Sequence, residues 1–396
     1  MRIAILIVIL FAFIPCIAYG DGPSERAGVL LVGGPGQIML LREPFFDVTF
    51  VPALQLWYTE DVIRRSMRHY MPRTYGQLVE EYEAIDLAFS EPRFFKHQLV
   101  SWLSDAVLED GRGFVLYGTR KYFVPWLDTT VGIISPVEQV VGFQESRGVV
   151  WIRVLEAENV LMASVPWSDI GSHGCFAGTY GVKTREGSLL LAEKIPMNFG
   201  TPTPFLTWWE VGAGRCLSIN VYYTVDTREG NPFTSWEFYP DFVRNYILYM
   251  AGRDIPPDAL LMHRIGLALE KCHLARDALI SVRDFISTLG AGTCRIDWEL
   301  DSADSTLGDI DRVYLDYEFE KTLFMAEELL LELDHAFTLA LEIKNSVMVW
   351  IYFLEWAILT GSIVIVGSVA WTLMVRRRLD REIKTTRIAG VHYEYS

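Results

Sequence analysis

The sequence predicts an α/β protein: a doubly wound, mostly parallel sheet, then an α-helical hairpin stalk and one transmembrane helix. Three observations lead there. From Ala27 to about Gly252, short apolar runs ended by glycine alternate with amphipathic stretches, the mark of strands buried on both faces between helices. After Pro256-Pro257 the pattern becomes an unbroken helical spacing of threes and fours. Trp356 to Val375 is then free of charge and is followed at once by Arg376, Arg377 and Arg378. Twenty residues at about 1.5 Å each cover about 30 Å, the hydrocarbon thickness of a bilayer.

The elements follow in order. Gly28-Val-Leu-Leu-Val-Gly33 reads as the first strand, Asp47–Val51 as the second and Ala84–Phe89 as the third, with a helix-compatible stretch at Leu78–Tyr82. Phe95–Leu108 reads as an amphipathic helix with Leu99, Trp102, Leu103, Ala106 and Val107 on one face. Gly111-Arg-Gly113 stops it, and Phe114–Tyr117 is the next strand. Beyond it the chain is richer in strands, at Val149–Leu155, Leu189–Glu193, Leu206–Val211 and Cys216–Tyr223. Pro240–Met250 reads as a closing helix with proline in its first turn.

In the stalk, Leu261, Ile265, Ala268, Cys272, Ala275, Leu279, Val282, Ile286 and Leu289 form one seam, ended by Gly290-Ala-Gly292. Phe319, Leu323, Ala326, Leu330, Leu333, Phe337 and Ala340 form a second. Joined by an acidic connection, the two are expected to pack as an antiparallel pair. Between Arg295 and Lys344 fourteen acidic residues stand against four basic ones, which reads as a solvated face, with a cation site as the alternative.

Both ends of the chain point to a membrane. Met1-Arg2, the apolar Ile3–Ile17 and Ala18-Tyr19-Gly20 have the layout of a signal peptide, against the alternative of an uncleaved anchor. Arg381, Lys384 and Arg387 extend the basic flank after the span, which places 376–396 in the cytoplasm by the positive-inside rule and everything before the span outside. The expected organisation is therefore a signal peptide over 1–20, an α/β domain over 21–256, a helical stalk over 257–346, a transmembrane helix with an outer interfacial turn over 347–375, and a basic tail over 376–396. A net charge of −15 argues against nucleic acid as a partner. The bilayer is the expected one, with a membrane protein bound through the span or stalk as a further candidate.

Cys175, Cys216, Cys272 and Cys294 remain after cleavage, with no zinc-site spacing and no Asn-x-Ser/Thr sequon in the chain. On straight-helix geometry Cys272 and Cys294 cannot meet. Whether Cys175 and Cys216 pair stays open.

The order of segments resembles the class I glutamine amidotransferase-like fold, in its non-catalytic, uncharacterised branches. The resemblance rests on Val29-Leu-Leu-Val-Gly33, Tyr82-Glu-Ala-Ile-Asp-Leu-Ala-Phe-Ser90, Leu108-Glu-Asp-Gly-Arg-Gly-Phe-Val-Leu-Tyr-Gly118, Trp209-Glu-Val-Gly-Ala-Gly-Arg-Cys-Leu-Ser218 and the closing helix in Trp236–Gly252. The run Trp350–Arg378 resembles the anchor of uncharacterised archaeal surface proteins. Catalytic amidotransferases carry a cysteine on the turn after the fourth strand and a histidine from a later loop, the histidine lowering the thiol pKa and moving the proton. Here the turn reads Tyr117-Gly118-Thr119-Arg120-Lys121, and the later loop has Thr224, Asp226 and Thr227 without histidine. The resemblance therefore implies a fold without glutaminase chemistry; no cofactor is expected.

The candidate crevice at the strand ends comprises Gly33, Gly34, Gly36, Thr119, Arg120, Asp169 and His173. Gly33-Gly34-Pro35-Gly36 offers backbone amides to an anion or serves a tight turn. Arg120 and Lys121 attract a carboxylate or are solvated. His173 and Cys175 supply two ligands where zinc takes four, so no metal is expected. Trp208, Trp209, Trp236, Phe238 and Tyr239 form a carbohydrate platform or belong to the core. Glu355, Gly361 and Gly367 are candidate contacts to a membrane partner. The expected function is a ligand- or partner-binding surface module or an accessory subunit. An extracytoplasmic hydrolase or sugar-modifying enzyme using Asp169 with His173 is one alternative, and a structural envelope component the other.

Overall fold

The computed structural model describes residues 26–391 apart from 34, 142–145, 172–174, 180, 197–200, 221–232 and 234–235. The expected signal peptide lies outside the described residues. The chain divides into two compact units, 1–266 with Asp311–Glu320, and Leu267–Ile310 with 321–396.

The first unit is built on a nine-stranded sheet in the order β2-β1-β3-β4-β11-β10-β9-β6-β7. Its parallel half joins β1 (Ala27–Gly33), β2 (Phe46–Pro52), β3 (Ala84–Ala88), β4 (Gly113–Gly118) and β11 (Gly214–Asn220). Strands β1, β3 and β4 are buried almost along their whole length because both faces are covered, whereas the edge strand β2 is half-exposed. Leu30, Val32, Ile85, Leu87, Phe114 and Leu116 enter one core with three helices: α1 (Glu60–Tyr70), α2 (Tyr75–Glu81) and α3 (His97–Leu108). In α1, Glu60 and Asp61 open the helix and Arg68 and His69 close it, matching its dipole at both ends. Thr74 caps α2 by accepting from the Gln77 amide. Helix α4 (Arg120–Leu127) follows β4 and adds Phe123 and Trp126 to the same core.

The sheet is mixed rather than mostly parallel. Strands β6 (Ser146–Val154), β7 (Cys175–Thr179), β9 (Leu189–Pro196) and β10 (Thr203–Val211) all join antiparallel. The reason is local. Val211 pairs with Gly214 across the two-residue loop Gly212-Ala213, with Gly212 at φ +61°. A two-residue hairpin can join only antiparallel strands. The chain thus re-enters the parallel half at β11 through a hairpin and not through a crossover helix. Strands β5 (Val137–Gln139) and β8 (Val182–Thr184) form a separate ribbon.

Helix α5 (Tyr239–Met250) reaches the sheet through polar contacts with its strands: Tyr246 Oη donates to Asp86 Oδ2 at 2.7 Å, and Arg215 Nη1 donates to the Tyr249 carbonyl at 2.9 Å. Almost every residue of α5 is buried, including Asp241, Arg244 and Asn245. The Arg244 guanidinium pairs with Asp241 at 2.9 Å, and Asp241 meets His263 Nδ1 at 2.7 Å. Glu43 accepts from the Tyr314 hydroxyl at 2.8 Å. Burial raises the Glu43 carboxyl above its usual range, and the nearby Arg244 charge offsets part of that rise. Phe45 stacks on Tyr314 and Tyr317, and Arg26 pairs with Asp311 at 3.1 Å. The segment Asp311–Glu320 is thereby held on the first unit by charge and by aromatic packing.

The second unit is helical, and it corrects the expected two-helix stalk. Three helices cross it: α6 (Ala259–Thr288), α7 (Cys294–Leu315) and α8 (Phe319–Val391). The acidic stretch expected to be a connection is α7. Its buried residues Ile296, Leu300, Ala303, Leu307 and Ile310 recur at fours and threes. The antiparallel partner of α6 is therefore α7, through Arg276 with Asp304 and Arg283 with Asp297 at 2.9 Å. Helix α8 then runs parallel to α6, with Cys272 Sγ donating to the Ala326 carbonyl at 3.3 Å and Lys344 over the Phe285 ring. Of the expected α8 seam, Leu323, Ala326, Leu333 and Ala340 are buried, Phe319, Leu330 and Phe337 are half-buried, and Thr322, Leu329 and Ala336 complete the buried stripe. Among the described residues one helical stretch, Phe319–Arg381, is long and apolar enough to cross a membrane.

Candidate functional site

The carboxyl ends of β1, β3, β4 and β11 lie side by side along one edge of the sheet, because parallel strands in register finish together. Gly33 pairs with Ala88, Ala88 with Tyr117, and Tyr117 with Ile219. Two of the expected crevice glycines separate here. Gly33 ends β1, while Gly36 lies in the 3-10 segment Pro35–Arg42. Gly34 lies outside the described residues.

The loop after β3, which the sequence reading did not single out, contributes most to this edge. Phe89 holds φ at +57°, an unfavourable conformation for a residue with a Cβ, costing on the order of 1–3 kcal/mol. Its amide donates to the Tyr117 carbonyl at 2.8 Å, and its ring meets Tyr117 and Tyr122 edge-on at 4.9 and 5.9 Å. That fixes the direction of Ser90 and Glu91. The Ser90 carbonyl accepts from Trp126 Nε1 at 2.9 Å, while its buried hydroxyl has no hydrogen-bond partner among the described residues. Glu91 is largely buried and meets Arg93 Nε at 2.7 Å and Lys121 Nζ at 3.8 Å.

Thr119 follows β4 in extended conformation and starts α4, its carbonyl accepting from the amides of Tyr122 and Phe123. It is buried, and Arg120 beside it is exposed. Thr119 stands two strands from Gly33 and two residues beyond the Gly33–Ala88–Tyr117 register line, so these two and Arg120 do share one edge. Asp169 lies in the helical turn Ser168–Gly171, but its side chain and all of His173 lie outside the described residues. Their proposed pairing is therefore not part of the described geometry.

The thiols are elsewhere. Cys216 is free and buried inside β11, where burial pushes its pKa well up. It stands four strand spacings from the Cys175 strand, about 19 Å, which excludes a disulfide between them. Cys272 and Cys294 are free in the helical unit. Of the aromatics, Trp236, Phe238 and Tyr239 are core residues. Trp208 stacks on Tyr249, and Arg185 covers Trp209, so they form no open sugar platform. Glu355, Gly361 and Gly367 sit on exposed turns of α8, with nothing within 4 Å of either glycine's missing Cβ.

Two further buried charges lie on strands, Asp86 among apolar residues and Lys194 next to Glu193. Asp86 lies in Ala-Ile-Asp-Leu-Ala and Lys194 in Leu-Leu-Leu-Ala-Glu-Lys-Ile-Pro. Burial pushes Asp86 from 3.8 up to about 7, with the Tyr246 hydrogen bond offsetting part of the rise. Burial pulls Lys194 from 10.5 down to about 7. Lys194 pairs in register with Thr203, which places it on the same sheet edge beyond β11.

Their linkage to stability has opposite signs. The folded state holds an extra proton on Asp86 between about pH 4 and 7, so this contribution is lost as pH rises through that window. The unfolded state holds an extra proton on Lys194 between about pH 7 and 10, so stability rises there. The expected result is a minimum in the urea midpoint near pH 7. Asp86→Asn should flatten the acid limb and Lys194→Met the alkaline one. Profiles of the two variants parallel to the parent would show that neither group carries the effect.

No protein-family model matches the chain, and no curated protein matches it. Among solved structures it is similar to the cytoplasmic protein STM3548 from Salmonella typhimurium, at 14% identity and a TM-score of 0.43 over 57% of this chain and 99% of that one. A second cytoplasmic protein, STM1381 from Salmonella typhimurium LT2, aligns at 16% identity and a TM-score of 0.44 over 56% of this chain and 98% of that one. A ThuA-like protein from Parabacteroides merdae aligns at 12% identity and a TM-score of 0.42, over 59% of this chain and 92% of that one.

Proposed function

We propose that the chain is a single-pass membrane protein whose amidotransferase-like head is catalytically degenerate. The head binds a ligand or partner at its strand ends, or serves as an accessory subunit of a membrane complex. The observation that carries this reading is the turn after β4. Thr119 stands where a glutaminase needs its cysteine, and among the described residues no imidazole hydrogen-bonds it. At this edge Glu91 lies between Arg93 and Lys121, with Arg120 exposed beside them, a charged recognition surface rather than a nucleophile with its base. Arg376–Arg378 after the apolar run support a cytoplasmic tail and an outward head. The likeness of the anchor to those of archaeal surface proteins belongs to the same reading.

The experiment has two arms, both on the full chain. In intact cells a membrane-impermeant maleimide should label the exposed Cys294; labelling that needs permeabilisation would reverse the orientation. The purified protein in detergent should release no ammonia from glutamine above background. Glutamine hydrolysis that disappears in Thr119→Ala would refute the degenerate reading.

A further inference from the structure

We infer that the first turn of α4, with the loop after β3 beside it, is an oxyanion site that takes a phosphate ester. The inference deepens the proposed recognition at the strand ends and rests on that reading. A single residue, Thr119, separates β4 from α4, so the first turn of the helix opens on the sheet edge. The first amides of a helix have no acceptor within it, and its dipole adds a partial positive charge there. Helices commonly answer with a capping side chain and an acid in the first turn. This one has neither. Thr119 stands at the cap position without making the capping bond, and the first turn carries Arg120 and Lys121 with no acid. The sequence thus adds positive charge where the dipole already disfavours it, and a bound anion relieves both.

The side chains around this turn are left ready for one. Thr119 is 7% exposed. Ser90 is 1% exposed, and its hydroxyl has no hydrogen-bond partner among the described residues. Ser90 is held against α4 because its carbonyl accepts from Trp126 Nε1 at 2.9 Å. A buried hydroxyl without a partner is costly, and a ligand that accepts from it removes the cost. Lys121 is exposed and only loosely held. Its ammonium lies 3.8 Å from Glu91 Oε1 and 3.5 Å from the Tyr122 hydroxyl, at or beyond hydrogen-bond range. Glu91 already meets Arg93 Nε at 2.7 Å, so Lys121 can turn to a ligand without stranding that carboxylate.

The charge and the donors favour phosphate over carboxylate. Arg93, Arg120 and Lys121 stand around one acid, Glu91. A phosphate ester carries close to two negative charges at neutral pH and three strong acceptor oxygens. A carboxylate brings one charge and two oxygens. The hydroxyls of Thr119 and Ser90, the first-turn amides and the Lys121 ammonium offer more donors than two oxygens in one plane can use.

Titration calorimetry of the full chain in detergent tests the site, with inorganic phosphate as the probe and acetate at equal ionic strength as the control. Phosphate should bind saturably, and acetate roughly ten-fold more weakly. Lys121→Gln should weaken phosphate binding roughly ten-fold and Thr119→Val roughly five-fold, the scale of a lost hydrogen bond to a charged group. Ser90→Ala separates a binding role from a structural one. It should weaken phosphate binding while raising the unfolding midpoint of the ligand-free protein, because it removes an unpartnered buried hydroxyl. No saturation below about 10 mM phosphate, equal affinity for acetate, or affinities unchanged in Lys121→Gln and Thr119→Val would overturn the site. Those failures leave the degenerate reading standing, since it falls on a separate readout, glutamine hydrolysis that disappears in Thr119→Ala.

Discussion

Arg244→Met is expected to destabilise the head by about 3–5 kcal/mol, the cost of stranding buried charge when one partner is removed. Arg244 is almost wholly buried, as is Asp241, which it pairs. It is also the principal positive charge offsetting the rise of Glu43. Methionine fills much of the arginine stem's volume but leaves two carboxylates inside, with His263 touching only Asp241. The penalty should depend on pH with a definite sign. Without Arg244 the Glu43 carboxyl is raised further above its unfolded value of about 4.3, so the loss is small in acid and grows as pH climbs through that range. Unfolding of the full chain in detergent by guanidinium, followed by tryptophan fluorescence, should therefore show a larger loss at pH 8 than at pH 5. Adding Glu43→Gln to Arg244→Met should restore part of it. A loss below about 1 kcal/mol, unchanged between the two pH values, would mean that water reaches the cluster and screens it.

This cluster also shows where sequence reading stops. The parallel half was legible because Val29–Gly33, Ala84–Phe89 and Phe114–Tyr117 are buried on both faces, and burial leaves a continuous apolar signature. The antiparallel half was legible as strands but not as a direction. Direction is set by Gly212-Ala213, which reads equally well as a loop until the register of Val211 with Gly214 is known. Helix α7 was hidden by its surface. Its acidic residues dominate the composition, yet Ile296, Leu300, Ala303, Leu307 and Ile310 keep a regular seam beneath them. The candidate site was half legible. Glycine and the Thr119 turn announce themselves at strand ends. Phe89 does not, because its positive φ is imposed by contacts with Tyr117 and Tyr122 that no local pattern encodes. Arg244, Asp241 and Glu43 look like ordinary surface charges in a linear sequence, since their burial depends on segments up to 271 residues apart.

Gly33→Ala is expected to prevent stable folding of the head, and the reason settles between an anion-binding turn and a steric need for glycine. Gly33 sits at φ +153°, and a Cβ there would lie 1.5 Å from the Ala88 carbonyl oxygen and 2.5 Å from its carbon. Both atoms are backbone of β3, so no rotamer change relieves the clash; β1 and β3 would have to separate at the register pair Gly33–Ala88. Strain of this kind exceeds the usual cost of a point substitution, and a loss above about 4 kcal/mol is diagnostic of it. The same substitution at Gly76 should act in the opposite direction. That glycine lies in helix α2, where the added Cβ would meet nothing nearer than the Glu80 carboxylate at 3.9 Å, and alanine gains up to about 1 kcal/mol over glycine in a helix. Protease resistance of the full chain in detergent separates the cases: Gly33→Ala should be cut at temperatures where the parent is intact, and Gly76→Ala should resist at least as well as the parent. A Gly33→Ala protein as resistant as the parent would remove the steric explanation. The glycine would then have to be explained by what its backbone amide meets at the strand ends, and the anion-binding alternative would take precedence.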